Sequence, residues 1–314
     1  MVAECSSKVD LFDRICRIPA TNWDFAILFG LARWASYQGV RLSRHVEVKR
    51  LQSKFPECMP IHGLVWPGES KGGPMNPVQD APLRALAVMA HPDDVDFGAG
   101  GTIATWTDAG CEVAYCIVTD GAAGGSDRSV PRDEMARLRE SEQRAAAELV
   151  GVSDVRFLRY SDGSLVPSID LRRDISRIIR QVRPERVICQ SPERWWDRFQ
   201  ASHPDHLAAG EACLSAVYPD SRNPFAHPEL LEKEGLEPWA VPEVWMMASP
   251  RMDTYVDVTK NVDRKIDALR CHATQVSDPL AMEQMVRGWL SGFASSQGLP
   301  EGTYVEGFQL LKTA

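Results

Sequence analysis

No hydrophobic run in the sequence is long enough to cross a membrane, which argues against an integral membrane protein. The eight cysteines include no C-x-x-C pair and no spacing typical of a disulfide framework, so we interpret them as reduced thiols of a cytoplasmic protein. Basic residues are not in excess, because the formal net charge is -8 over 314 residues. Nucleic acid is therefore excluded as the main partner, since binding its phosphates requires a basic face.

Residues 1–74 differ in composition from the rest of the chain. They carry ten basic residues against seven acidic ones and follow no sustained hydrophobic period, whereas the remainder is strongly acidic. A Lys-Gly-Gly run at 71–73 precedes Met75, and codons for that run can spell a purine-rich ribosome-binding sequence. We therefore expect 1–74 to be a poorly structured leader or spurious extension, and 75–314 to be the functional domain. The alternative is a small accessory helical subdomain built around residues 23–37.

From residue 83 onward, apolar strand-like runs alternate with helical patterns. Strands are predicted at 83–90, 112–118, 155–158, 186–189, 244–248 and 255–258, and helices at 97–109, 131–150, 171–182, 204–217, 262–271 and 280–290. The alternation predicts right-handed βαβ units and an α/β fold with a mostly parallel sheet. Sites in such sheets lie beyond the carboxyl ends of the strands. We therefore expect the chemistry in the loops after the first, second and fourth strands.

The first motif is AHPDD, which directly follows the first predicted strand. It brings one imidazole and two carboxylates to the carboxyl edge of the sheet within four residues. His91 and Asp94 could bind one metal ion from the same side, which would leave Asp93 free to act on a water molecule. Taken alone, the same residues would be better explained as a solvated acidic turn.

The second motif is SHPDH, which leads into the helix after the fourth predicted strand. His203 stands at the helix cap and His206 in the first turn. A capped helix with Asp205 favourably placed by the helix dipole is the simpler alternative. Helix capping alone nevertheless does not readily explain why an H-P-D motif follows each of two strands. A set of two histidines and an aspartate suits zinc with an open fourth position, although other divalent ions also accept such ligands.

Together, the two motifs and the GAGGT stretch between them resemble the LmbE/PIG-L family of zinc-dependent N-acetylglucosaminyl deacetylases, from about residue 83 to the C-terminus. The resemblance implies a Rossmann-like three-layer sandwich, one Zn²⁺ per chain and a small amino-sugar conjugate as substrate. By matched position, it implies that His91, Asp94 and His206 are the zinc ligands. Asp93 would be the general base, and His203 would stabilise the oxyanion or protonate the leaving amine.

Further residues match family positions that lie around the substrate. Arg139 and Glu142 fall in the matching helix, where the arginine reaches the sugar, and Asp162 matches a carboxylate that contacts sugar hydroxyls. Surface charge on a helix and a turn-forming Asp-Gly pair are the alternatives, and Glu142 could simply pair with Arg139. We expect Asp205 to orient one of the two histidines of its own motif.

The run 191–202 departs from the pattern of the mycothiol-type members of the family, in which a shorter loop of small residues is expected. It contains Trp195, Trp196 and Phe199. The adjacent indoles could form a platform that stacks on a sugar ring or holds an aromatic aglycone. The alternative is that one of them belongs to the core.

The sequence thus predicts a metal-dependent amide hydrolase that removes an acyl group, acetyl in the first instance, from an amino-sugar nitrogen. One rival is an amidase for a larger N-acyl conjugate. A rival of another class is a dinucleotide-binding oxidoreductase with the glycines at 98–101 as phosphate loop, but the G-x-G-x-x-G spacing is incomplete. A third rival is a sugar-binding relative that has lost its catalytic activity. The intact residues of the two motifs argue against it. The oligomeric state is left open.

Overall fold

The computed structural model describes residues 76–313, apart from Gln79 and Ser126. The described residues lie within one compact unit. The expected leader, 1–74, and the start at Met75 lie outside the described residues, and the domain boundary stays a prediction. Within the described part, no helix combines the length and the apolar character that crossing a membrane requires.

Strands and helices alternate along most of the described chain. The strands are β1 Asn76–Pro77, β2 Arg84–Met89, β3 Glu112–Thr119, β4 Asp154–Tyr160, β5 Arg186–Gln190, β6 Glu243–Met247, β7 Thr254–Asp257 and β8 Val305–Lys312. The α-helices are α1 Asp94–Asp108, α2 Arg132–Leu149, α3 Ile169–Val182, α4 Pro204–Ser215, α5 Pro228–Glu232, α6 Val262–Arg270 and α7 Pro279–Ser296. A short 3-10 helix, Trp196–Ser202, precedes α4.

All eight strands form one sheet in the order β1-β7-β8-β6-β5-β2-β3-β4. Every pairing is parallel except those of β8, which runs antiparallel to both β6 and β7. The predicted α/β class with a mostly parallel sheet is therefore confirmed. The prediction omitted β1, β8, α5 and the 3-10 helix.

Both faces of the sheet are buried, as expected of a parallel sheet covered by helices. Along β2, Ala85, Ala87 and Met89 face a core shared with α1, α2, α6 and α7. Leu86 and Val88, which alternate with them, face a second core shared with α3 and α4. This arrangement is the three-layer sandwich that the resemblance implied.

The glycines at 98–101 lie inside α1 and allow the helix to approach its neighbours closely. A Cβ atom at Gly101 would lie 2.7 Å from Cβ of Val258, and one at Gly98 would collide with Met247. Their role in helix packing explains why this stretch is rich in glycine. The dinucleotide-binding alternative therefore gains no support from the fold.

The sheet also explains why the two motifs meet. β2 and β5 are parallel neighbours, with Val88 paired to Cys189 near their carboxyl ends. The loop after β2 carries the first motif, and the segment after β5 leads to the second. The two motifs therefore emerge at the same edge of the sheet.

Candidate active site

The first motif forms a tight turn at the start of α1. The carboxylate of Asp94 accepts the backbone N–H of His91 at 2.7 Å through Oδ2, and the same oxygen lies 3.3 Å from Nδ1 of that histidine. Asp93 adopts a left-handed backbone conformation with φ of 91°. Such a conformation costs a non-glycine residue roughly 1–2 kcal/mol, so the surrounding structure must hold it in place.

The second motif begins α4, with Pro204 in its first turn. Nδ1 of His203 accepts the backbone N–H of Asp205 at 3.2 Å. This contact requires an unprotonated Nδ1, so the proton of a neutral His203 is on Nε2. Also in this first turn, Nε2 of His206 lies 3.0 Å from Oδ1 of Asp94. Asp94 thus connects the histidines of the two motifs.

Three imidazoles converge at this edge of the sheet. The ring centroids of His91, His203 and His206 lie 5.0 to 5.3 Å apart. One nitrogen from each ring lies within 4.8 Å of the other two, and a second set of the same kind joins His91 to Asp162 and Asp205. With Asp94 bridging two of the rings, these nitrogen and oxygen donors could hold a metal ion.

Buried carboxylates surround His91. Oδ1 of Asp162 and Oδ2 of Asp205 lie 3.3 and 3.2 Å from its Nε2. Burial alone would lower the pKa of His91, but hydrogen bonds to Asp162 and Asp94 outweigh it and raise the pKa to about 11. The carboxylate of Asp205 contacts His91 and the backbone N–H groups of Gly163 and Leu165, whereas its own backbone N–H donates to His203. The site therefore concentrates negative charge that favours a cation.

The two aspartates of the first motif have opposite pKa shifts. Burial favours the neutral form of Asp94, yet His206 and His91 hold its pKa well below the ordinary value. Burial, followed by the charge of Asp94, raises the pKa of Asp93 to about 7, although Arg139 opposes this rise. Asp93 can therefore take up and release a proton near neutral pH.

Arg139 is almost fully buried on α2 and ties together the loops after β2 and β3. Its Nη2 donates to the carbonyl of Pro92 at 2.7 Å and to Oδ2 of Asp93 at 3.3 Å, and its Nη1 donates to the carbonyl of Gly121 at 3.0 Å. Glu142 does not pair with this arginine. Its carboxylate instead accepts the backbone N–H and the hydroxyl of Thr274, at 2.8 and 2.7 Å.

The two indoles of the 191–202 run differ in environment. Trp196 is 75% exposed, and its ring stacks on Phe199 with the ring planes 22° apart. Trp195 is half-buried beneath the guanidinium of Arg198. Neither indole lines the cavity of about 610 Å³ that opens beside Asp94 and His206.

Comparisons with known proteins agree with this fold. The PIG-L family, described as GlcNAc-PI de-N-acetylase, matches residues 86–217. The diacetylchitobiose deacetylase of Thermococcus kodakarensis is 31% identical over 229 residues, which cover 73% of this chain and 83% of that protein. The chain belongs to the PIG-L family.

Further relatives in the family are also named deacetylases. The 1D-myo-inositol 2-acetamido-2-deoxy-alpha-D-glucopyranoside deacetylase of Rhodococcus erythropolis is 30% identical and covers 62% of this chain and 81% of that protein. The solved N,N'-diacetylchitobiose deacetylase of Pyrococcus horikoshii, complexed with its inhibitor MPG, has a TM-score of 0.68 and 30% identity, and covers 74% of this chain and 85% of that chain. By family, this chain is an enzyme that hydrolyses N-acetyl amide bonds.

In this PIG-L chain, Gln143 and Asp96 escaped the sequence analysis, and they form a layer of buried polar residues with His272. Gln143 donates through Nε2 to Oδ2 of Asp96 at 2.8 Å, and Nε2 of His272 lies 2.9 Å from the same oxygen. All three side chains are fully buried. The available signal was a glutamine on the apolar face of α2 and an aspartate between apolar residues of α1.

Proposed function

We propose that this protein is a zinc-dependent hydrolase that removes an acetyl group from the nitrogen of an amino sugar or of a small amino-sugar conjugate. The observation that carries the proposal is the approach of His91 and His206 to the two oxygens of Asp94, next to Asp93, in a chain of the PIG-L family. The oligomeric state is not part of the proposal.

His91, Asp94 and His206 would hold the ion, one per chain. Their imidazole and carboxylate donors are those that Zn²⁺ prefers, and the excess of carboxylates around His91 provides the negative charge for it. A zinc ion held there would polarise the amide carbonyl and lower the pKa of a water molecule to ~7. Another divalent ion could use the same nitrogen and oxygen donors.

Asp93 is the proposed general base. Its raised pKa, about 7, allows its carboxylate to take a proton from the attacking water at neutral pH and to return it to the leaving amine. Arg139 fixes the orientation of this carboxylate through its contact with Oδ2. The base is therefore held in position before substrate binds.

His203 is the proposed donor to the developing oxyanion. Burial, followed by the charges of His91 and His206, lowers its pKa, so the imidazole is neutral at pH 7. Its Nδ1 is occupied by the N–H of Asp205, which leaves Nε2–H as the donor. A hydrogen bond that strengthens as negative charge develops on the carbonyl oxygen lowers the barrier.

Arg139 and Asp162 are the proposed contacts to the sugar, on the side of His91 that faces the loops after β3 and β4. Trp195 and Trp196 are the proposed aromatic platform. A second candidate, an amidase for a larger N-acyl conjugate, is favoured by one observation. The cavity beside Asp94 and His206, about 610 Å³, has room for much more than an acetyl group.

The test is release of a primary amine from N-acetylglucosamine and N,N'-diacetylchitobiose, measured with protein that has been stripped by a chelator and then supplied with zinc. We expect amine release that depends on added metal. A parallel series with N-butyryl and N-hexanoyl glucosamine separates the two candidates, because the amidase would prefer the longer chains. Absence of amine release from every member of both series would overturn the proposal.

A further inference from the structure

The cavity beside the candidate metal site has a largely apolar wall. Asp94 and His206 form its edge on the side of the candidate metal site. Its apolar side chains come from α1, β6, α7 and the segment after β6, and include Phe97, Met247, Met252, Met285, Trp289 and Phe293. Arg139 and Asp162 are not part of this wall. A molecule whose reacting group lies at Asp94 can therefore extend in two directions, towards Asp162 beyond His91 or into the cavity beyond His206.

Arg198 is the one arginine or lysine on this cavity wall among the described residues. Its guanidinium carbon lies 5.2 Å from the ring centroid of Trp195 and 5.1 Å from that of Trp289. The two indoles thus hold the guanidinium from the 3-10 segment and from α7. Stacking of this kind occupies the faces of a guanidinium and leaves its edge N–H groups available to bind an anion.

No carboxylate in the described part of the chain pairs with Arg198. Partial burial alone acts on its pKa, and lowers it. Two arginines outside the cavity wall have partners, because Arg194, in the same segment, donates to the carbonyl of Ser202, and Arg251, after β6, pairs with Glu193. The guanidinium of Arg198 is half-buried and held in place, and it lacks an anionic partner. It can therefore bind an anion, since charge-assisted bonds to carboxylate or phosphate are among the stronger hydrogen bonds.

We propose that Arg198 binds an anionic group, a carboxylate or a phosphate, on the arm of the substrate that enters the cavity. The inference rests on the proposed function and deepens it. The substrate class becomes an N-acylated amino sugar that carries an apolar arm with a negative charge. The apolar wall packs against the arm, and the guanidinium of Arg198 binds its anionic group.

The arm could belong to either of two parts of such a substrate. In a 2-amino sugar the amide is on C2 and the glycosidic bond is on the neighbouring C1, so that the aglycone and the acyl chain both start close to the reacting carbonyl. The chemistry that Arg198 recognises is the same in both cases. Two matched substrate pairs separate them.

The first pair is the 4-carboxyphenyl and 4-methylphenyl glycosides of N-acetylglucosamine, and the second is N-glutaryl and N-pentanoyl glucosamine. We expect the protein to prefer the charged member of at least one pair by about tenfold or more in kcat/KM, mainly through KM. Arg198→Gln should bring that ratio to about one, and Arg198→Lys should retain part of it because the charge remains. Arg194→Gln, which removes a charge from the same segment outside the cavity wall, should keep the ratio.

Equal kcat/KM values within both pairs, or a preference that survives in R198Q, would overturn the inference. Calorimetric titration of the chelator-stripped protein with the same four compounds measures binding without the metal-dependent hydrolysis. If no amine is released but the charged compound binds about tenfold more tightly and R198Q loses this difference, the hydrolase proposal fails and the Arg198 inference stands. If amine release depends on metal but neither assay shows a preference for charge, the hydrolase proposal stands and the Arg198 inference fails.

Discussion

Gln143 accepts the backbone N–H of Asp93 at 2.7 Å through its side-chain Oε1. The other end of the same amide donates to Asp96, which His272 contacts in turn. A buried chain of side chains from α2, α1 and the segment after α6 therefore fixes the residue that has a left-handed φ of 91°. The position of the candidate base depends on these residues as well as on the motif itself.

Gln143→Leu should lower kcat by about tenfold or more while KM and the bound metal change little. The substitution removes the acceptor for the Asp93 N–H, and small displacements of a catalytic group can cost up to ~100-fold in rate. Steady-state kinetics and metal analysis of the same preparation check this. Glu148→Ala, at an exposed position of the same helix, is the control and should leave kcat unchanged. An unaltered kcat in Q143L would remove the positioning role from Gln143.

Lys265 is fully buried and forms an ion pair with Glu306 at 2.6 Å. Its Nζ also donates to the backbone carbonyls of Asp96 and Phe97 in the first turn of α1. Lys265→Met should lower the free energy of unfolding by roughly 3–5 kcal/mol, because it leaves the Glu306 carboxylate buried and without its partner.

Urea unfolding monitored by circular dichroism measures the effect of this variant. The control is Arg137→Ala, which breaks the exposed pair with Asp133 on α2 and should change the free energy of unfolding by no more than about 0.5 kcal/mol. If K265M and R137A lowered the free energy of unfolding by similar amounts, the buried pair would not have the stabilising role that we assign to it.

Replacing a glycine by alanine should lower the stability of the protein in α1 and raise it in α7. Gly101→Ala should destabilise the protein by roughly 1–3 kcal/mol, because the new methyl group would lie 2.7 Å from Cβ of Val258. Gly292→Ala should stabilise it by up to about 1 kcal/mol, since an added Cβ there meets nothing within 4 Å and alanine is the better helix former. Thermal unfolding of the two variants checks the order, and a G101A variant as stable as the parent would contradict it.

The sequence was sufficient to predict the α/β class and the two motifs, because hydrophobic periodicity and strand-end position are local properties. β8 escaped prediction. Its second residue, Glu306, is charged yet buried against Lys265, so the strand does not follow a simple apolar pattern. The buried charge of Glu306 is compensated by Lys265, which lies 41 residues away in the sequence.

Side-chain partners are harder to predict than positions. Local spacing favours a pair between Glu142 and Arg139, and the expected partner of Asp205 is a histidine of its own motif. Their carboxylates instead contact Thr274 and His91, which lie 132 and 114 residues away in the sequence. Such partners meet only when the helices and strands pack together, so a local sequence pattern does not predict them.

The proposed site gives different roles to Asp93, the proposed general base, and His206, a proposed ligand of the ion. Zinc content and amine-release rate, measured together on Asp93→Asn, His203→Ala and His206→Ala, distinguish the two roles. We expect D93N and H203A to keep about one zinc per chain, with the rate of D93N reduced by ~10²–10⁴-fold because the amide cannot accept the proton. His206→Ala should lose zinc and activity together. If D93N loses its zinc as completely as H206A does, Asp93 is a ligand and the proposed division is wrong.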